Sequence, residues 1–206
     1  MRKRFVGALD TDTLRLYAVT SLEDVSGSED EAGLTKSAEA LKALVAAEAT
    51  GTGPDAPSSV KIPSHRVVVG GFSQGGAISY LAGLSFHAKD KKPLAGVVAM
   101  STWCPMRKTV SKWLQDSNGP SSSPPPPFFA AHGSADPVVR YSFGERSVEF
   151  LKEGLGFGGL RQISDGEHKD RWTGVQFKTY QGMPHSACPE EIEDLGIFLE
   201  KVIPAV

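Results

Sequence analysis

The stretch RVVVGGFSQGGAISYLAGL, residues 66–84, sets a Ser-Gln pair between two glycine doublets. A valine run before it reads as a buried strand, and the apolar residues after it, from about Gln74 to Phe86, recur at helical spacing. Gly71-Phe72-Ser73-Gln74-Gly75 is a G-x-S-x-G pattern with the strand-before, helix-after context of a nucleophile elbow. Such a turn lifts the serine Oγ above the carboxyl end of a sheet. Small residues are expected two before and two after the serine, where bulky side chains would collide. The following helix aims its first N–H groups at the same spot, which favours negative charge there. A glycine-rich turn with an incidental serine is the bland alternative.

Downstream the pattern repeats. LAGVVAMS (94–101) and PFFAAHG (127–133) are further apolar strand candidates, and VQFKTYQG (175–182) is another. Between and after them, Phe143 to Leu151 and Glu190 to Val202 read as helices. Upstream, LRLYAVTSL (14–22) is β-leaning. Leu34, Ala38, Leu41, Leu44 and Val45 recur at three- and four-residue spacing after an acidic helix start. Continuous apolar strands alternating with helices imply a mostly parallel sheet covered on both faces. The expected fold class is α/β, in one domain over 1–206. Two stretches read as loops: the Pro/Ser-rich 117–127 and the glycine-rich, charged 154–172.

A nucleophilic serine needs a base, and the base needs an orienting carboxylate. On this type of scaffold the chain order is Ser, Asp or Glu, then His, each after a strand. HGSADPVV places Asp136 just past the FFAAHG strand. QGMPHSAC places His185 past the VQFKTYQG strand and before the last helix. A turn aspartate and a helix-entry histidine are the ordinary alternatives, but all three residues fall in the required order. His65, His87 and His168 sit in poorer places for a base, and His132 is expected to shape the Asp136 loop. Trp103 and Trp113 lie on the same carboxyl side as Ser73. Trp103, Pro105 and Met183 are the candidates for an acyl pocket; plain core packing is the alternative for the aromatics.

Composition excludes several classes. A formal net charge of -2 leaves no basic stripe for nucleic acid. The two cysteines, Cys104 and Cys188, are too few for a disulfide framework and match no metal-site spacing. The basic start MRKRFVGALDTD carries too short an apolar stretch for a signal peptide. No stretch is long and apolar enough for a membrane-spanning helix. A cytoplasmic location, with the nucleus as an addition, is the expectation. Gly154-x-Gly156-x-x-Gly159 matches a dinucleotide fingerprint in form only. It follows a helix rather than a strand, and Thr179, about twenty residues on, is not acidic.

Taken together, GGFSQGGA, the S-x-W-x-P segment Ser101–Pro105, HGSADPVV and Y-x-G-M-P-H-S-x-C at Tyr180–Cys188 resemble the acyl-protein thioesterase family, also called the phospholipase/carboxylesterase or lysophospholipase-like family. The resemblance covers about residues 14–203. It implies an α/β-hydrolase fold with Ser73 as nucleophile, His185 as base and Asp136 as orienter. The backbone N–H of Gln74 would be one oxyanion-hole donor. Implied substrates are S-palmitoyl thioesters on proteins, small carboxylic esters or lysophospholipids, with transient membrane-surface contact compatible with them. Oligomeric state is left open, and no metal or organic cofactor is implied.

The chain departs from that family pattern ahead of the elbow. No H-G-x-G-D-type loop precedes Ser73, and the only His-Gly is His132-Gly133. MRKRFVGALDTDT is too short for the strands such a loop follows. The fold is therefore expected to be N-terminally shortened, with one oxyanion donor missing at a cost of roughly 10²- to 10³-fold in kcat. The alternative from another class is a catalytically impaired acyl- or partner-binding relative.

Overall fold

The computed structural model describes residues 5–7, 30–52, 61–90, 93–116, 124–163 and 171–203. The strands are β1 (Phe5–Gly7), β2 (Val68–Phe72), β3 (Gly96–Met100), β4 (Phe128–Gly133), β5 (Arg161–Ile163), β6 (Arg171–Thr173) and β7 (Val175–Tyr180). The helices are α1 (Glu31–Thr50), α2 (Gln74–Ser85), α3 (Arg107–Asp116), α4 (Tyr141–Glu149) and α5 (Pro189–Val202).

Five strands pair in the order β1-β2-β3-β4-β7, and every pairing is parallel. This is the α/β architecture expected from the continuous apolar runs. The pleat sorts alternate residues to opposite faces. Val97, Ala99, Phe128 and Ala130 join a core with α1 and α2, whereas Val98, Phe129 and Ala131 join a second core with α5. Phe198 of α5 is fully buried, its ring 5.5 Å from that of Phe129. Burial of one such side chain contributes about 1.5–3 kcal/mol.

The α1 helix begins at Asp30, whose side chain accepts the Gly33 N–H at 2.9 Å. It ends at Gly51, a left-handed residue with φ 75°. Leu34, Ala38, Leu41 and Val45 form its buried face, the spacing anticipated from sequence.

Three differences from the sequence reading matter. First, MRKRFVGALDTDT contributes the short strand β1, which extends the sheet beyond β2. The unpaired N–H and C=O groups along the β2 edge give an extended stretch something to bond. Second, the stretch 154–172 is not all loop. Arg161–Ile163 pairs antiparallel with Arg171–Thr173. Strands of three residues are too short for any alternation to register. Third, Arg107–Asp116 is a helix for which the reading had no element; among its residues only Val110 is fully buried. The β-leaning LRLYAVTSL, and most of the Pro/Ser-rich loop, lie outside the described residues. Gly154-x-Gly156-x-x-Gly159 follows α4, ends a π-helical turn (Phe150–Gly154) and opens no helix.

Candidate active site

Ser73 stands alone between β2 and α2, with φ 54° and ψ −124°. A non-glycine residue at positive φ stores on the order of 1–3 kcal/mol, which the surroundings must hold in place. They do so by backbone bonds. The Ser73 N–H donates to the Met100 carbonyl at 2.8 Å, and the Ser73 carbonyl accepts from Gly76 and Ala77 at 3.0 and 3.2 Å. The turn is so tight that a Cβ on Gly71 would strike the Gly75 carbonyl carbon, and a Cβ on Gly76 would lie 2.7 Å from Thr102 Cγ2. A Cβ on Gly75 would meet nothing within 4 Å. The expected crowding two residues after the serine is thus corrected to three residues after, at Gly76, because there the helix backs onto the loop that follows β3.

Asp136 follows β4 in a turn built around its own carboxylate. Oδ1 accepts the N–H groups of Val138 and Val139 at 2.8 and 2.9 Å. The loop after β7 is joined to this turn by backbone bonds. Ser134 N–H donates to Tyr180 O at 3.0 Å, and Ala135 N–H to Met183 O at 3.2 Å. Gly182 N–H adds a bond to Ser134 Oγ at 2.8 Å. That junction brings His185 to Asp136: Nδ1 lies 2.7 Å from Oδ2, and Nε2 lies 3.0 Å from Ser73 Oγ. The Asp136 side chain is completely buried, while that of His185 keeps 16% of its surface exposed. The carboxylate accepts, so Nδ1 carries the proton and Nε2 is left as the acceptor for the serine hydroxyl. Phe72 packs its ring against the imidazole, centroids 4.7 Å apart.

Hydroxyl, imidazole and carboxylate in this order can deprotonate Ser73 Oγ as it attacks a carbonyl, then return the proton to a leaving group. A family model described as Phospholipase/Carboxylesterase matches residues 16–203. The chain belongs to this family. Among phospholipase/carboxylesterase relatives, acyl-protein thioesterase 1 of Mycosarcoma maydis is 50% identical over 189 residues, 92% of this chain and 69% of the relative. The protein of the same name from Cryptococcus neoformans is 39% identical over 180 residues, 87% of this chain and 66% of the relative. The chain therefore spans about two thirds of the length of these relatives. Acyl-protein thioesterase 2 of Zea mays superposes with a TM-score of 0.63 at 26% identity, over 85% of this chain and 67% of that one. Arabidopsis thaliana SOBER1, at 20% identity and TM-score 0.63 over 87% and 69%, shares the fold.

The other predicted residues of this family member fall in different places. Gln74 opens α2, where a first-turn N–H has no intrahelical partner. Trp103 lines a cavity of about 390 Å³ between α3 and α4, with Met106, Phe143 and Phe150 as apolar walls. Arg107, Lys108 and Arg146 stand around it with Glu31. Pro105 is buried in the loop before α3 and does not line this cavity. Met183 is buried in the α5-side core, and its carbonyl rather than its thioether faces the Asp136 turn. The Trp103 loop is anchored by Ser147, whose Oγ accepts the Cys104 N–H at 2.7 Å and donates to Phe143 O at 2.6 Å. Sequence reasoning missed Phe72, Gly76 and Ser147. Phe72 and Gly76 flank the elbow motif and were open to suspicion, whereas nothing in the sequence marks Ser147 as the partner of Cys104.

Proposed function

We propose that this chain is a serine hydrolase that cleaves acyl thioesters, chiefly S-palmitoyl groups on proteins. The observation carrying the reading is the unbroken sequence of contacts from Asp136 through His185 to Ser73 Oγ, at 2.7 and 3.0 Å. The relatives named acyl-protein thioesterase support the choice of substrate class. In this reading Ser73 Oγ attacks the thioester carbonyl, and His185 Nε2 takes its proton. The Gln74 N–H, at the positive end of α2, receives the oxyanion. The cysteine thiol then leaves with the proton from His185. Water, activated by the same imidazole, hydrolyses the acyl-enzyme. The Trp103 side of the cavity beside α3 would hold acyl carbons.

A lysophospholipid or small-ester hydrolase using the same three residues is the second reading, favoured by the description of the family model itself. Turnover of an S-palmitoylated peptide, a lysophospholipid and a short-chain ester by the purified chain separates them. The thioester is expected to give the highest kcat/KM; a lysophospholipid preference would transfer the assignment to the second reading. The cytoplasm is the proposed compartment, where Cys104 and Cys188 would stay reduced. No described helix is long and apolar enough to cross a membrane.

A further inference from the structure

A second imidazole touches the Asp136 carboxylate. His132, on β4, is 1% exposed, and its Nε2 lies 2.8 Å from the Val139 carbonyl. A carbonyl only accepts, so Nε2 carries the proton. The same Nε2 is 3.4 Å from Asp136 Oδ2, the oxygen that faces His185 Nδ1. The other nitrogen, Nδ1, is buried without a hydrogen-bond partner and is turned to α4. Gly144 lets it sit there, since a Cβ at that position would run into Nδ1. A proton on Nδ1 would have no acceptor, so the geometry fixes one tautomer of a neutral ring. Burial, followed by the opposing bond to Val139, leaves the imidazole pKa below its ordinary value. Asp136, His185 and the edge of the Tyr141 ring are the titratable groups facing it.

Val139 is held from both ends. Its N–H donates to Asp136 Oδ1 at 2.9 Å, and its carbonyl accepts from His132. We infer that His132 is a positioning residue: its Nε2–H clamps the Asp136–Val139 turn and, with it, the carboxylate that orients His185. The inference rests on the proposed triad only for its catalytic consequence. The clamp itself is a property of the folded chain.

Two substitutions separate the position of the donor from mere polarity. A glutamine amide nitrogen reaches where Nε2 sits, four bonds from Cα, whereas an asparagine amide reaches only the Nδ1 position. His132→Gln should retain the clamp and His132→Asn should lose it. The first readout needs no turnover. Long-range proton–nitrogen NMR spectra of the histidine-labelled chain, recorded from about pH 5.5 to 8.5, should show His132 as an Nε2–H ring throughout. A His185 Nδ1–H signal should be present in the wild type and His132→Gln and lost in His132→Asn. The second readout is thioester turnover. His132→Asn should lower kcat by about 10- to 100-fold with KM little changed, the scale of a misplaced catalytic group. His132→Gln should recover most of that loss.

An Nδ1-protonated or doubly protonated His132 in that range overturns the inference. So does a His185 signal that is the same in His132→Gln and His132→Asn. A clamp confirmed by NMR in a chain without Ser73-dependent turnover would contradict the hydrolase reading and leave the positioning role standing.

Discussion

The Ser73 N–H bonds the Met100 carbonyl at 2.8 Å, which ties the elbow to the last residue of the neighbouring strand. The strained serine is therefore held by β3 as well as by its own flanking glycines. Ser101, the next residue along, is itself at positive φ (46°) and bonds Ala131 O at 2.8 Å. Strained residues thus follow two neighbouring strands, β2 and β3, and the second is bonded in turn to β4.

Glycine substitutions around the elbow should follow the contacts rather than the motif. Gly75→Ala puts its Cβ into open space and should leave thermal stability unchanged or raise it by up to about 1 kcal/mol. Gly71→Ala forces backbone against backbone and should destabilise by at least about 1–3 kcal/mol. Melting temperatures of the two variants test this; an equal loss in both would show that the motif, and not the contact, governs.

Asp136→Asn keeps an acceptor for Val138 and Val139 but presents an N–H₂ group to His185 Nδ1. The imidazole would then shift its proton to Nε2 and lose its ability to accept from Ser73. A drop in kcat on the order of 10³- to 10⁴-fold with a native melting curve is expected. Steady-state kinetics beside circular dichroism decide it, and near-wild-type turnover would remove Asp136 from the mechanism.

Ser147→Ala removes the acceptor of the buried Cys104 N–H. The unsatisfied donor should cost about 1–3 kcal/mol in denaturant unfolding. Because the Trp103 loop loses its anchor on α4, KM for long-chain thioesters should rise more than KM for short ones. Unchanged stability would mean that the N–H finds another partner.

Glu191, in the first turn of α5, is completely buried, and burial pushes its carboxyl up to about 7, partly offset by the Cys188 backbone N–H. The unfolded chain releases this proton near the ordinary value of 4.5, while the folded chain keeps it until about 7. Stability from this group is therefore present at low pH and lost as pH rises through that window. Glu191→Gln should match the wild type near pH 4 and exceed it above pH 7 by up to about 3 kcal/mol. Urea unfolding across that range measures the difference; a gain at acid pH instead would mean that the carboxyl is ionised in the fold.

The parallel sheet was legible because Val68, Val97 and Phe128 sit in runs apolar on both faces, as strands covered by helices must be. Ser73, Asp136 and His185 were legible because each lies among turn formers just past such a run. The α3 helix carries a signal that the sequence reading left unused: Val110, Trp113 and Leu114 stand at i, i+3 and i+4 among polar residues and pack on the core. The division between Gly75 and Gly76 was not legible, since it depends on Thr102 arriving from the loop after β3. His132 was expected to shape the Asp136 loop, and its bond to Val139 does so; hidden from the sequence was Gly144 on α4, which leaves room for the ring.

Labelling of the folded chain by a fluorophosphonate probe tests the assembled Ser73–His185 pair most directly. The wild type should be labelled covalently on Ser73, and Ser73→Ala and His185→Ala should both lose the signal. Labelling that persists in Ser73→Ala, or a folded wild type that takes up no probe, would contradict it.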